Sequence, residues 1–251
     1  MRKIASLVGI LLGVLPIFPA IADVVLYFTA TSPQGTRPEI VLLSDRFVRI
    51  ESGQHAGDGT VQFDVQSGKT GLFDHQHRTY TELSIADIER LASSDQPSWS
   101  RRLDEIEPVA THWPEAEREA LRDLRARLQQ TVQPPVLLGD PNVRAQVAGF
   151  SCTPFEVRRS TSRREQHCLS DAADLGLSAE EYAGIRGFLQ ITTRLAGDSA
   201  LVDLQGIPVR SVREDDDERY ELLLERVERV PLPATRFTLP TDYVRRPAER
   251  F

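Results

Sequence analysis

"VQFDVQSGKTGLFDHQHRTYTEL", residues 61–83, decides the fold of this 251-residue chain. Val61, Phe63 and Val65 alternate with Gln62 and Asp64, a period of two that places the apolar side chains on one face of a strand. Ser67-Gly68-Lys69 is a hairpin turn signal, and TGLFD and RTYTEL pair across DHQH. Alternation joined by such short turns describes an antiparallel sheet with one buried face. Val61, Phe63 and Val65 are therefore candidates for lining that face.

The same pattern extends upstream. Val24 to Phe28 is a strand run, followed by a turn at Ser32-Pro33-Gln34-Gly35. EIVLLSDRFVRIE makes two short strands, or one long strand bent at Ser44-Asp45. Downstream the period changes. Ser84 is a candidate N-cap for a helix with Ile85, Ile88 and Leu91 at helical spacing. A polar linker, 92–112, leads to Pro114, which suits the first turn of a second helix striped by Ala120, Leu121, Leu124 and Leu128. Pro134 and Pro135 stop that helix within a second loop segment, 130–141. Ser178 with Glu181 is a capping-box signature for a third helix, whose apolar face carries Tyr182, Ile185, Phe188 and Leu189. Strands at GIPVRSVR and RYELLLERVERVPL close the chain. With no βαβ alternation, the order predicts a mainly β (α+β) domain: a curved antiparallel sheet with about three helices across its concave face.

The N-terminus adds a compartment. Arg2 and Lys3 precede an apolar run, Ile4 to Phe18, and Ala20-Ile21-Ala22 is a small-x-small cleavage site. This is the pattern of a secretory signal peptide, residues 1–22, cleaved after Ala22 to leave one domain over 23–251. The run is too short for a spanning helix, which needs about 20 apolar residues, so no stable membrane span is expected. Without Arg2 and Lys3 the chain has 28 basic and 37 acidic residues, a net charge of −9 that repels phosphate backbones. Nucleic acid is thereby excluded as a partner, because its binding needs clustered Lys and Arg.

Several segments together resemble the lipoprotein-localisation-factor-like (LolA/LolB-like) periplasmic superfamily, nearest to an uncharacterised exported branch. They are "SDRFVRIES", the hairpins of residues 61–83, the strand Gly149-Phe150-Ser151-Cys152-Thr153-Pro154-Phe155-Glu156-Val157, "GIPVRS" and the "LPATRFTLPTDYV" tail. The resemblance covers most of residues 23–245 and implies a half-open barrel with helices over its concave side. It further implies an apolar cavity between sheet and helices, used in characterised members to shield acyl chains. Arg49, Val61, Phe63, Val65, Tyr182, Ile185 and Phe188 are the positions expected to line it.

Cys152 and Cys168 are the two cysteines, and in an oxidising compartment such a pair crosslinks. A hairpin centred on Ser160 sets them opposite each other, at about 4.5 Å between Cα atoms, within the disulfide range of roughly 4.4–6.8 Å. Pro154 can introduce a bulge that shifts this register. The Cys-x-x-Cys spacing of redox pairs is absent. His167 and Cys168, as strand neighbours, point to opposite faces and do not share a metal ion easily. His75 and His77 alternate and could face one ion, given a third ligand. Asp215-Asp216-Asp217-Glu218 lacks the glycine and spacing of a calcium loop and reads as a solvated turn.

No nucleophile elbow, His-Glu-x-x-His or phosphate-cradling glycine loop is present. The expectation is a periplasmic, non-enzymatic protein without cofactor or metal. It would sequester a lipid, an acyl chain or another apolar ligand between sheet and helices. The alternative is an envelope protein–protein interaction module with no small-molecule ligand.

Overall fold

The computed structural model describes residues 23–53, 59–90, 114–115, 118–119, 121–122, 136–158, 163–195, 205–215 and 218–248. The expected signal peptide and the 92–112 linker lie outside the described residues.

The N-terminal meander forms as its alternation requires. The strands are β1 (Asp23–Ser32), β2 (Gly35–Leu43), β3 (Phe47–Ser52), β4 (Thr60–Asp64), β5 (Lys69–Asp74) and β6 (Thr79–Leu83). Each pairs antiparallel with the next. EIVLLSDRFVRIE is two strands, because Ser44 closes a turn in which its N–H donates to the Phe47 carbonyl at 2.9 Å. Gly68 sits at φ 69°, the left-handed conformation that a turn glycine allows.

The second half is built from β7 (Val136–Leu138), β8 (Ala145–Val147), β9 (Phe150–Arg158), β10 (Arg163–Ser170), β11 (Ile207–Asp215), β12 (Glu218–Val230) and β13 (Val244–Arg245). The spatial order is β13-β6-β5-β4-β3-β2-β1-β12-β11-β10-β9-β7, with β8 also on β9. Two meanders are thus fused where β1 pairs antiparallel with β12, across about 200 residues of chain. Irregularities between Tyr27 and Phe28 and between Cys168 and Leu169 break the register, and such bulges bend a sheet. Among the described residues the sheet has 13 strands, curves and stays open, with β13 and β7 at its two ends. The segment 130–141, expected as loop, therefore contains an edge strand at its described end.

Among the described residues two α-helices lie on the sheet where about three were expected: α1 at 85–90 and α2 at Ala179–Leu195. Of the helix expected from Pro114, residues 115, 118, 119, 121 and 122 are helical, and the remainder falls outside the described residues. A 3-10 turn at Ala173–Leu175 leads into α2. Short helices need tertiary contacts to persist, and Ile88 of α1 supplies one by being buried in the core.

The sheet has two differently covered faces. Val24, Leu26 and Phe28 of β1 join Leu43, Val48, Phe63, Ile185, Phe188 and Ile191 in the large core, on what we term the inner face. Val25 and Tyr27 point the other way, into a smaller cluster with Leu42, Phe47, Leu232 and Phe237 on the outer face. This explains the continuous apolar run Val24 to Phe28. A central strand covered on both sides does not alternate.

Candidate functional site

Helix α2 is the inner face's cover, and its sequence shows how it is held. Its capping box closes as predicted: Glu181 N–H donates to Ser178 Oγ at 3.2 Å, and Ser178 N–H to Glu181 Oε2 at 2.7 Å. The same carboxylate accepts two hydrogen bonds from the Arg229 guanidinium of β12, at 3.0 and 2.9 Å. Burial pushes the Glu181 carboxyl upward, but the bonds from Arg229 and Ser178 outweigh it and hold the group below its ordinary value. The helix is thus tied to β12 at its first turn. Further along, the Gly206 N–H donates to the Tyr182 hydroxyl at 3.0 Å.

The middle of α2 rests directly on strands β3 and β4. A Cβ on Gly184 would lie 3.3 Å from Val65 Cγ2 and 3.4 Å from Val48 Cγ2, and one on Gly187 would lie 3.1 Å from Phe63 Cε1. Two glycines one turn apart remove the side chains that would hold the helix off the sheet. Ile185, Phe188 and Ile191 then fill the flanks, each about 95% buried. Burial of each such side chain contributes about 1.5–3 kcal/mol.

Six of the seven residues expected to line a cavity therefore do come together around α2. Phe63, Ile185 and Phe188 are core, and Val61 and Tyr182 pack against it. Val65 lies just past the end of β4 and is 36% exposed. At Gly184 and Gly187 the helix backbone approaches Val65, Val48 and Phe63 closely enough that a Cβ would be in tight contact. The sequence signal for this seat was the Gly-x-x-Gly spacing within the helix, which the apolar periodicity does not weigh.

Arg49 is the correction. It lies in β3 opposite Leu42 and Gln62, on the outer face. Its Nε donates to Glu51 Oε1 at 2.9 Å, its Nη1 donates to Gln62 Oε1 at 3.1 Å, and its guanidinium lies 5.6 Å from the Phe73 ring centroid. A buried Arg requires such partners. Strand alternation alone does not say which face is inner, so the assignment awaited the packing.

The tail covers that outer face. Gln62 donates to the Phe237 carbonyl at 3.0 Å, Arg236 pairs with Glu51 at 2.6 Å, and Phe237 stacks on Phe47 with ring centroids 5.6 Å apart. His75 bridges Thr60 Oγ1 at 2.7 Å and the Tyr243 hydroxyl at 2.5 Å. His77 instead meets Asp74 at 2.7 Å. The two histidines thus serve different partners, and among the described residues no group of three metal-ligating side chains occurs.

The cysteines are crosslinked, with Cα atoms 5.4 Å apart. The register differs from the expected one: Cys168 stands opposite Pro154 of β9, and Cys152 opposite Ala145 of β8. The bond is diagonal across β9 and β10. Across β9 and β10 the register runs without a break from Arg164 opposite Arg158 to Leu169 opposite Thr153, one residue later than the expected pairing. His167 is buried, with Nδ1 3.0 Å from Ser211 Oγ and Nε2 3.7 Å from Glu165 Oε2. The adjacent sulfur is tied up in the disulfide, so no Cys-His site exists there.

At the far end of the sheet, Val136, Leu137 and Leu138 of β7 are 55%, 46% and 38% exposed. β7 pairs with β9 on one side, and among the described residues no strand pairs with its other side. The sequence hid this edge: three apolar residues between Pro135 and Gly139 carry no periodicity.

No family model and no curated protein matches the chain. Among solved structures, the chain is similar to PNGF-II at 5% identity and a TM-score of 0.44, with 90% of this chain and 31% of that one covered. It spans less than a third of that protein's length. An uncharacterized conserved protein from Thermus thermophilus is 8% identical with a TM-score of 0.43, covering 90% of this chain and 92% of the other. The MucA/MucB complex of Pseudomonas aeruginosa gives 10% identity and a TM-score of 0.39, covering 88% and 56%. All three likenesses lie at 10% identity or below with TM-scores under 0.5.

Proposed function

We propose that this chain is an exported, non-catalytic binding module that takes up an extended segment of another envelope protein along β7. The observation that supports this reading is the exposure of three consecutive apolar side chains on an end strand. Adjacent residues of a strand point to opposite faces, so both sides of β7 are apolar and solvent-facing. Natural edge strands are commonly blunted by charge, proline or a covering element. β13 at the other end is short, is followed by Arg246 and Pro247, and its Arg245 pairs with Glu82. β7 has no such device within it. An added strand would pair with the side of β7 that no described strand occupies and cover its side chains, which is how β-augmentation recognises peptides. The fitting partner is an extended segment rich in aliphatic residues.

Export rests on the disulfide together with the N-terminal pattern. Among the described residues no helix is long and apolar enough to cross a membrane. The glycine contacts that place α2 against β3 and β4 weigh against an apolar ligand seated at that point.

The test uses the purified chain and a synthetic peptide of alternating valine and threonine, followed by amide exchange and chemical shifts. Protection of residues 136–138, lost in a Leu137→Lys variant that keeps its melting temperature, is the expected result. Saturable displacement of a fluorescent fatty acid, with no change at β7, would overturn the proposal in favour of a lipid carrier.

A further inference from the structure

Away from β7, a cleft of about 450 Å³ lies where α1, the end of β6 and the chain after β13 meet. Its polar lining is Glu82, Asp87, Arg90, Arg245 and Arg246, with Pro247 and Ala248 as the remaining wall. Three guanidinium groups face two carboxylates, a local surplus of one positive charge on a chain whose formal net charge is −7.

Both carboxylates are already engaged. Glu82 Oε1 accepts from Lys69 at 3.0 Å and from Arg245 at 3.2 Å. Asp87 Oδ2 accepts from the Ser84 hydroxyl at 2.6 Å and the Ser84 N–H at 3.0 Å, and Oδ1 pairs with Arg90. The Ser84 bonds, with a smaller contribution from Arg90, hold the Asp87 carboxyl below its ordinary value, so it stays charged and keeps Arg90 in place. Among the described residues Glu82 thus pairs with two cations, Lys69 and Arg245, and Asp87 with Arg90.

The backbone fixes the remaining arginine. β13 runs parallel to β6, with Arg245 beside Tyr80, and the Arg246 N–H donates to the Tyr80 carbonyl at 2.7 Å. Arg246 is thus anchored through its main chain while its side chain is exposed at the cleft. Among the described residues it forms no ion pair, and its charge is the least of the influences that lower the Asp74 carboxyl. Guanidinium groups donate in a planar fork that matches phosphate and carboxylate oxygens. Arginines from separate elements, Arg90 of α1 with Arg245 and Arg246 of β13 and the residue after it, favour a tetrahedral anion, whose oxygens diverge, over a planar carboxylate that one fork satisfies.

We infer that this cleft binds a phosphate group, with Arg246 as its principal ligand and Arg90 and Arg245 as flanking donors. The volume is within the roughly 300–1,000 Å³ of small-molecule sites and has room for more than a bare ion. The phosphate can belong to a lipid head group or to a small soluble phosphoester. The site is independent of β7, and neither proposal requires the other.

The test titrates the full chain with glycerol phosphate at constant ionic strength by calorimetry, and separately with vesicles of phosphatidylcholine alone or with phosphatidylglycerol. Saturable binding that falls tenfold or more in Arg246→Gln, at unchanged melting temperature, is expected. Binding to glycerol phosphate alone assigns a soluble ligand, and binding to the anionic vesicles alone assigns a head group. No binding to either, or binding as tight as the native chain's in both Arg246→Gln and the Arg90→Gln/Arg246→Gln double variant, overturns the inference.

Discussion

The two faces of the sheet are covered in opposite ways. On the inner face a 17-residue helix lies flat on the strands through Gly184 and Gly187, and its contacts there are hydrocarbon. On the outer face the tail crosses by discrete anchors: Leu232 N–H to Asp23 Oδ2 at 2.8 Å, Arg236 to Glu51, Phe237 on Phe47, and Tyr243 to His75. The inner cover depends on shape and buried area, which scale with contact. The outer cover joins a smaller apolar cluster around Phe237 to a few directional bonds between partly exposed groups, each bond worth about 1 kcal/mol. Local opening is therefore expected from the tail side first.

Removing side chains from the inner face should have the largest effect. Phe188→Ala leaves a cavity in the core, where it is 4% exposed, and should cost about 3–5 kcal/mol in urea unfolding. A loss below about 1 kcal/mol would mean that the helix is not part of the core. Gly187→Ala sharpens the same point through its sign. In an ordinary helix this change stabilises by roughly 1 kcal/mol. Here the new methyl meets the Phe63 ring, held in the core, and the expected result is a destabilisation of about 1–2 kcal/mol. A gain would show that the helix sits more loosely than its contacts indicate.

The outer face should respond less. Tyr243→Phe removes the hydroxyl that meets His75 and should cost about 0.5–1.5 kcal/mol. Its distinguishing readout is faster amide exchange at Val244 and Arg246, whose N–H groups bond to β6 and its preceding turn, with α2 unchanged. The smallest effect concerns Asp64 beside Arg46. The Arg46 hydrogen bond, outweighing burial and helped by the Ser67 and Gln66 N–H groups, lowers its pKa to about 2 from an ordinary 3.8. A depressed carboxylate stabilises the fold above its unfolded value and loses that contribution as pH falls toward the folded one. The stability difference between the native chain and Asp64→Asn should thus shrink between about pH 5 and pH 2. Because Arg46 is 49% exposed, the difference at neutral pH should stay within about 1 kcal/mol.

These contrasts show how unevenly the sequence exposed its own structure. The N-terminal meander, the Ser178 capping box and the linked cysteines were readable because each depends on residues near one another in the chain. Arg49 lies on the outer face although the resemblance implies a cavity position, since alternation separates two faces without naming which one a helix will cover. β7 was hidden because three residues between a proline and a glycine are too few to show a period. The cleft around Arg246 joins residues 82–90 with 245–248, which no local pattern connects.

By itself, then, the sequence determined an antiparallel architecture with one crosslink and an N-terminal export pattern: strand period, cap chemistry and compartment act over a few residues or on the whole chain at once. Only the tertiary structure decided that β1 pairs with β12, that the cysteines bridge diagonally, and that glycines seat the helix. It alone placed β7 at one end of the described sheet and brought the arginines of the cleft together. The physical reason is that pairing across about 200 residues is selected by loop closure and burial of the whole sheet, quantities that no single segment contains.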